Sequence, residues 1–395
     1  MGQAPLDGLR VLDVTQVMAG PYCAMLLCDM GADVIKVEPP AGDSSRRMAG
    51  AQGSDSAAFN AVNRGKRGIV VNLKTDAGRD VVERLATEVD ILIENYRPGV
   101  MARLGLDYAT LSADNPRLIY ASISGYGQTG PSAGKGGFDL VAQGVSGLMS
   151  VTGEPDRPPA KVGVPLTDLG AGLFAVCGIL AALHHREGTG IGQQVDTALV
   201  DAGVALSVWE ATELFSTGNV PGPLGSAHRM SAPYQAIRCA DGYITLGAAN
   251  DRIFARLARL LGHPEWLGDE RFSVDGVRVA NREALAAEIE AVTADRPRAY
   301  WLERLEANDI PCGPINTYRD VLNDPQVRAR EMVVATEHPT LGTIRTLGTP
   351  IKLGATPLQP GRPAPLLGQH TDEVLAEAGY GEEAIAALRA CRAVA

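Results

Sequence analysis

The sequence predicts an α/β protein: a large domain with a parallel sheet carrying helices on both faces, and a smaller α+β domain. Three observations predict it. Over residues 1–130 short apolar strands alternate with stretches of helical spacing. Near the middle of the chain, residues 169–183 include no charged side chain, which marks a long apolar helix. A Gly/Pro-rich stretch at 216–228, STGNVPGPLGSAH, then reads as a linker to a segment of mixed pattern.

In order, residues 9–14 (LRVLDV) read as a strand, 20–30 as a helix and 33–38 (DVIKVE) as a second strand, one βαβ unit. Residues 68–73 (GIVVNL), a helix around 80–87 and 90–96 (DILIENY) make another. Residues 117–124 (RLIYASIS) add a strand closed by the turn GYGQTG, and 193–199 supply a further strand after the apolar helix. A helix is expected over 201–215. No G-x-G-x-x-G follows the first strand, so a nicotinamide dinucleotide site is not expected; GTGIG at 188–192 lies between helix and strand and reads as a turn. Beyond the linker, 242–248 is strand-like, and 250–261, 282–294 and 299–307 have helical spacing. Residues 331–353 read as two strands around 339–342, the segment from Thr356 as extended and Pro-rich, and a helix begins near Thr371. The domains are accordingly placed at 1–225, 226–325 and a C-terminal segment, 326–395, returning to the first.

At 395 residues, with 45% hydrophobic and 21% charged residues, the composition is that of a soluble globular protein with a large core. The apolar run at 169–183 is shorter than the ~20 residues a spanning helix needs, so no membrane segment is expected and the apolar helix should be buried. The opening MGQAPLDGLR lacks the basic and apolar regions of a signal peptide, and Leu6 stands where a myristoylation site needs Ser or Thr. Six cysteines, none in a C-x-x-C pair, read as reduced thiols of a cytoplasmic protein, and the scattered histidines give no metal site. A formal charge of −10 argues against a nucleic-acid surface and leaves room for a small phosphorylated ligand on a local basic cluster.

The residue that stands out is Asp168, one carboxylate at the start of the apolar helix, followed by Gly170, Ala171 and Gly172. One reading is an N-cap, since free backbone N–H groups and the helix dipole favour negative charge there. The other is a carboxylate nucleophile that forms a covalent acyl intermediate, with the small neighbours leaving room for substrate.

Ordered motifs across the chain decide between them. The segment PLDGLRVLDVTQVMAGPYCAMLLCDMGADVIKVEPPAGDSSR at 5–46 is followed by NRGKRGIVVNLK at 63–74, IENYRPGVMARLGL at 93–106 and ISGYGQTGP at 123–131. VGVPLTDLGAGLFA at 162–175, APYQAIRCADGYI at 232–244 and GPINTYRDVLNDPQV at 313–327 complete the set. Together they resemble the class III CoA-transferases, the family of formyl-CoA and carnitine CoA-transferase. The resemblance implies a Rossmann-like large domain completed by the C-terminal segment, a small domain between, and ring-like subunits interlocked in a homodimer. It also implies coenzyme A, as an acyl-CoA substrate, with no metal and no nicotinamide.

Asp168 falls on the family's nucleophile, and a carboxylate, charged at neutral pH, needs no base to activate it. The matching CoA positions are Val17, Met18, Ala19, Val71, Asn72, Leu73, Lys74, Asn95, Tyr96, Arg97, Arg103, Gly136, Gly137, Phe138, Asp139 and Leu199, with Lys135 beside them. Lys74, Arg97 and Arg103 suit phosphate oxygens, although each basic residue taken alone is at home as a solvated surface charge. Two positions depart from formyl-CoA transferase: Pro39 replaces an Arg and Gly136 a Lys, for which Lys135 is the substitute. GSAHRMSAPYQ, from Gly225, resembles members that use succinyl-CoA and dicarboxylic acids; Arg46, His228 and Arg229 are candidate cations for a second carboxylate, or ordinary loop residues. The α-methylacyl-CoA racemases of the same fold carry G-H-D where this chain has Gly137-Phe138-Asp139. Two-base proton transfer needs a group that Phe cannot supply. The expected activity is therefore transfer of CoA from an acyl-CoA donor to a carboxylic acid (EC 2.8.3 type), with a racemase or a non-catalytic CoA-binding protein as alternatives.

Overall fold

β1 (Arg10–Asp13), α1 (Ala19–Asp29) and β2 (Asp33–Glu38) open the computed structural model of the protein, which describes residues 4–48, 51–52, 55–358 and 361–395. β3 (Arg67–Val70), α2 (Asp76–Ala86), β4 (Ile91–Glu94) and β5 (Ile119–Ser124) follow, and β6 (Gln194–Ala198) joins the same six-stranded sheet. The order is β3-β2-β1-β4-β5-β6, every pairing parallel, with Leu12 opposite Ile35 on one side and Leu92 on the other. This is the doubly wound order, and chain direction across the sheet reverses between β1 and β4. Successive residues feed opposite cores. Val11, Val34, Ile93 and Ile123 pack under α1, whereas Leu12, Ile35, Leu92 and Tyr120 pack with Val81, Val82 and Leu85 of α2.

α3 (Asp139–Val145) and α4 (Leu166–Thr189) lie between β5 and β6. α4 ends at Gly190, which caps it in the left-handed conformation at φ 77°, and buried Arg186 anchors that end to Asp90 and the Arg117 carbonyl. The expectation that α4 is buried is half right. Ala171, Ala175, Ile179 and Ala182 sit in the core, but Leu173, Phe174 and Cys177 on the other face are exposed. At 24 residues it is long and apolar enough to cross a membrane by length and composition, but half of its apolar window is buried in the protein. The helix expected over 201–215 is two, α5 (Leu199–Leu206) and α6 (Val208–Thr217), separated at Ser207.

The described residues form two compact units. The first takes the chain through Leu148 and adds Val162–Thr212 and Pro325–Ala395; the second is Met149–Lys161 with Glu213–Asp324. The boundary thus falls a turn of helix before the Gly/Pro stretch rather than at 225, and 149–161 belongs to the second unit. A reason is local: the Gly225 N–H donates to the Gly153 carbonyl (2.8 Å), tying 149–161 to the 222–231 loop. In this unit β7 (Tyr234–Cys239) and β8 (Gly242–Gly247) form a hairpin that β9 (Cys312–Pro314) extends. α7 (Asp251–Leu260), α8 (Arg282–Thr293) and α9 (Arg298–Ala307) contribute Phe254, Leu257, Leu285, Ile289 and Trp301 to its core. Strand β7 was not anticipated, because its pattern reads more weakly than that of its partner.

In the first unit's last part, β10 (Val333–His338) and β11 (Gly342–Leu347) form a hairpin and α10 (Thr371–Glu377) and α11 (Glu382–Ala390) follow. Residues 370–395 cover the β3 edge. The Gly68 N–H donates to His370 Nδ1 (3.0 Å), the Asn72 N–H to the Ala393 carbonyl (2.8 Å), and Arg67 pairs with Glu373 and Glu377.

Candidate active site

In open α/β sheets, ligands bind beyond the carboxyl ends of the strands where the strand order reverses. A cavity of about 340 Å³ lies there in the first unit. Gln16, Val17 and Met18 come from the turn after β1, Asn95 to Pro98 from the turn after β4, Ser124 and Gly125 from the end of β5, and Leu199 from the start of α5. Asp168 opens into it from the first turn of α4, and Lys135 to Phe138 close it. A second cavity of about 500 Å³ is lined by Val37 to Ala41 at and beyond the end of β2 and Val71 to Lys74 after β3. Gln16 and Tyr96 line both, so the two are neighbours along one edge of the sheet.

Asp168 is the third helical residue rather than the N-cap, a position held by Pro165, which has no capping side chain. Burial, followed by repulsion from Asp139, pushes its carboxyl up to about 6. It is still mostly ionised at neutral pH, with more basicity than a solvated Asp. Gly170 and Gly172 do not make room for a substrate: a Cβ at Gly172 would lie 2.7 Å from the Ala19 carbonyl oxygen, and one at Gly170 would lie against Ala202 and Leu206. They let α1 and α5 approach α4, which brings the turn after β1 up to Asp168.

That turn is held from behind by buried charges. The Gln16 N–H donates to Asn95 Oδ1 (2.9 Å) and Asn95 Nδ2 to the Gln16 carbonyl (2.8 Å). Lys36 Nζ donates to the Thr15 carbonyl (2.9 Å) and pairs with Asp43 (3.1 Å), whose carboxylate accepts the Val17 N–H (3.2 Å). Val17 is thereby held at φ 72°, a left-handed conformation that costs a β-branched residue roughly 1–3 kcal/mol. Strain of this kind persists only where the surroundings over-determine it, and here it falls in a turn that lines the cavity.

The other expected residues divide. Lys74 lines the second cavity with Val71, Asn72 and Leu73, and Ala19 and Arg97 line the first; Arg103 is exposed and lines neither. A Cβ at Gly136 would meet the Arg97 guanidinium at 2.5 Å, so Arg97 fills the space of the side chain that formyl-CoA transferase carries there. Pro39 forms part of the second cavity's wall. Phe138, 76% exposed, is a cavity wall, and the cavity has Asp168 as its carboxylate and no histidine among its described lining residues. Asp139 does not line the cavity; its carboxylate turns to the start of α4. Arg46 is not a substrate cation. It is 3% exposed, its fork grips both oxygens of Glu38 at 2.7 Å, and it donates to the Pro365 carbonyl. His228 and Arg229 belong to the second unit, where Arg229 pairs with Glu213 (3.0 Å) and His228 Nδ1 accepts the Met230 N–H. Gln16, Ser124 and Gly125 were missed; Gln16 sits inside VTQVMAGP, where its place between two cavities is a tertiary fact. Among the described residues, no three His, Cys, Asp or Glu side chains gather as a metal cluster.

The site is thus a carboxylate of raised basicity beside two neighbouring cavities at the carboxyl edge of the sheet, and comparison with known proteins gives the class. A model of CoA-transferase family III matches residues 6–371, and the chain belongs to that family. It is 42% identical to a succinate–glutarate CoA-transferase of Agrobacterium fabrum, over 94% of this chain and 95% of that one. It is 40% identical to the succinyl-CoA:glutarate CoA-transferase of Mus musculus, covering 97% and 89%. A crystal structure of a CaiB/BaiF family protein from Brucella suis superposes with a TM-score of 0.84 at 41% identity, over 95% of this chain and 100% of that one. The protein is an enzyme of the CoA-transferase type, and its substrates are CoA thioesters and carboxylates.

Proposed function

We propose that this protein moves CoA from a dicarboxylyl-CoA, with succinyl-CoA the first choice, to a second carboxylic acid, through covalent intermediates on Asp168. The observation that carries the reading is Asp168 itself, an ionisable carboxylate of raised basicity opening into the cavity at the sheet's carboxyl edge. In the first step a carboxylate oxygen of Asp168 attacks the thioester carbonyl and expels CoA thiolate, leaving a mixed anhydride. The thiolate attacks the Asp168 carbonyl, forming an aspartyl-CoA thioester and releasing the donor acid as its carboxylate. The acceptor carboxylate attacks this thioester to give a second anhydride and thiolate. The thiolate then takes the acceptor acyl group and restores Asp168. No step requires a proton donor or base. Each needs a donor for the developing oxyanion and exclusion of water; the backbone N–H groups of Met18 and Ala19, beside the Val17 N–H that Asp43 accepts, are the candidate donors.

Coenzyme A is proposed to lie along the edge of the sheet, its nucleotide in the cavity of Pro39, Val71 and Lys74 and its thioester at Asp168. Lys74, Arg97 and Lys135 are the proposed phosphate contacts, with Arg103 at their margin. The dicarboxylate preference draws on the relatives named above and on the succinyl-CoA:mesaconate CoA-transferase of Haloarcula hispanica, 41% identical. A cytoplasmic homodimer of interlocked subunits is proposed too. Support comes from unpaired cysteine thiols and from exposed apolar side chains such as Phe174 at 41% and Trp209 at 55%. The test is transfer from succinyl-CoA to a panel of glutarate, mesaconate, itaconate, malate and oxalate, followed by chromatography of the CoA esters. At least one new dicarboxylyl-CoA is expected; transfer to none of them rejects the substrate class.

A further inference from the structure

We propose that Asp139 is a positioning residue for the nucleophile: its carboxylate, supplied by α3, replaces the missing cap of α4 and fixes the turn that carries Asp168. The inference rests on the reading of Asp168 as the nucleophile. α4 begins after Pro165 with no side-chain cap of its own, which leaves its first N–H groups in need of acceptors. Asp139 Oδ1 accepts both the Thr167 N–H (3.0 Å) and the Thr167 hydroxyl (2.8 Å), one residue before Asp168. Its other oxygen accepts Gln143 Nε2 (2.8 Å), and Gln143 Oε1 accepts the Val162 N–H (2.8 Å). Thr167 and Gln143 have no exposed surface. Four groups from two segments, two of them buried and two half-buried, therefore close a network whose last member adjoins Asp168.

The same carboxylate acts on Asp168 through space. On the elements packed against α4, the ionisable side chains besides Asp139 are Tyr22, Cys23, Cys28 and Asp29 of α1, Tyr120 of β5, Asp196 of β6 and Asp201 of α5, with Arg97 and Lys135 at the cavity. The charge that raises Asp168, after burial, is that of Asp139. An anion held close to a nucleophilic carboxylate makes it more basic, and a more basic carboxylate is the better nucleophile toward a thioester carbonyl. The cap and the repulsion thus come from one side chain, which explains why an acid rather than a Ser or Asn serves as the cap from outside the helix.

The test separates these effects from CoA contact and from simple structural support. The full-length protein and the variants Asp139→Asn, Thr167→Val and Thr167→Ser are mixed with succinyl-CoA between pH 4.5 and 8, quenched, and the Asp168 adduct is followed by mass spectrometry alongside kcat and KM. Glu94, pushed up to about 7 by burial, titrates in every variant, so the comparison between variants isolates Asp168. Wild type is expected to lose adduct formation on the acid side around pH 6. Asp139→Asn should move that limb to lower pH by about half a unit or more and lower kcat about tenfold or more, with KM for the CoA ester nearly unchanged. Thr167→Val, which keeps the charge and loses the hydroxyl, should lower kcat without moving the limb down, and Thr167→Ser should restore the wild-type rate. An acid limb and kcat unchanged in Asp139→Asn overturn the proposal, as does a rise confined to KM, which returns Asp139 to a CoA contact. Absence of the adduct in wild type rejects the assignment of Asp168 itself.

Discussion

Asp168 is stabilised by its place in the first turn of a helix and destabilised by burial and by Asp139, and the balance lies with the second pair. Its carboxyl stands at about 6 in the folded chain against an ordinary value of 3.8. The folded state therefore holds this proton more tightly than the unfolded chain. Holding Asp168 ionised costs stability at pH 7, about 2–3 kcal/mol for a shift of roughly two units. The cost is fully present above about pH 6 and disappears as the pH falls toward the unfolded value near 4. Asp168→Asn should thus be inactive in CoA transfer yet more stable than wild type at pH 7, with the gain fading by about pH 4. Urea unfolding at both pH values checks it; a gain of equal size at the two would mean that charge is not its source. The mismatch between stability and function at this residue is the expected mark of a reactive group. Val17, held at φ 72° by Asp43, is a second such place.

The helices α1 and α4 meet through glycine. A methyl at Gly172 would press on the Ala19 carbonyl oxygen at 2.7 Å and on the Tyr22 ring at 3.2 Å, both in the first turn of α1. Gly172→Ala is expected to cost about 1–3 kcal/mol of stability and to lower kcat by at least tenfold, because it moves α1, and with it the Val17–Ala19 turn, away from Asp168. A variant that keeps wild-type kcat while losing stability would show that the turn and the helix contact are independent. The glycines were visible in the sequence, but their use was not. Small residues beside a reactive group suggest space for a substrate, and only the packed helices show that the space is taken by backbone. Arg46 illustrates the same limit: a basic residue in a loop reads as a free cation until Glu38 is found gripping it.

For the molecule as a whole, the parallel sheet was legible because strands buried on both faces read as continuous apolar runs separated by helical spacing. The doubly wound order was not, since nothing in β1 states that β4 rather than β3 lies beside it. The division into two units was legible only in part: the Gly/Pro stretch was seen, while the bond from Gly225 to Gly153 that draws 149–161 into the second unit joins segments far apart in the chain. The site shows the same division. Asp168 and most cavity residues could be named from ordered motifs, whereas Gln16 and the Asp139–Thr167–Gln143 network exist only once α3, α4 and the sheet are packed. The chemical act proposed for this site is the capture of an acyl-CoA by Asp168, which lines the cavity at the sheet's carboxyl edge. The most direct measurement is a mass spectrum of the protein quenched within its first turnovers with succinyl-CoA, with the Asp168 peptide sequenced. The account predicts a CoA thioester or an acyl adduct on Asp168, absent from Asp168→Asn. An unmodified Asp168 peptide in a protein that turns over succinyl-CoA, or an adduct on another residue, would contradict it.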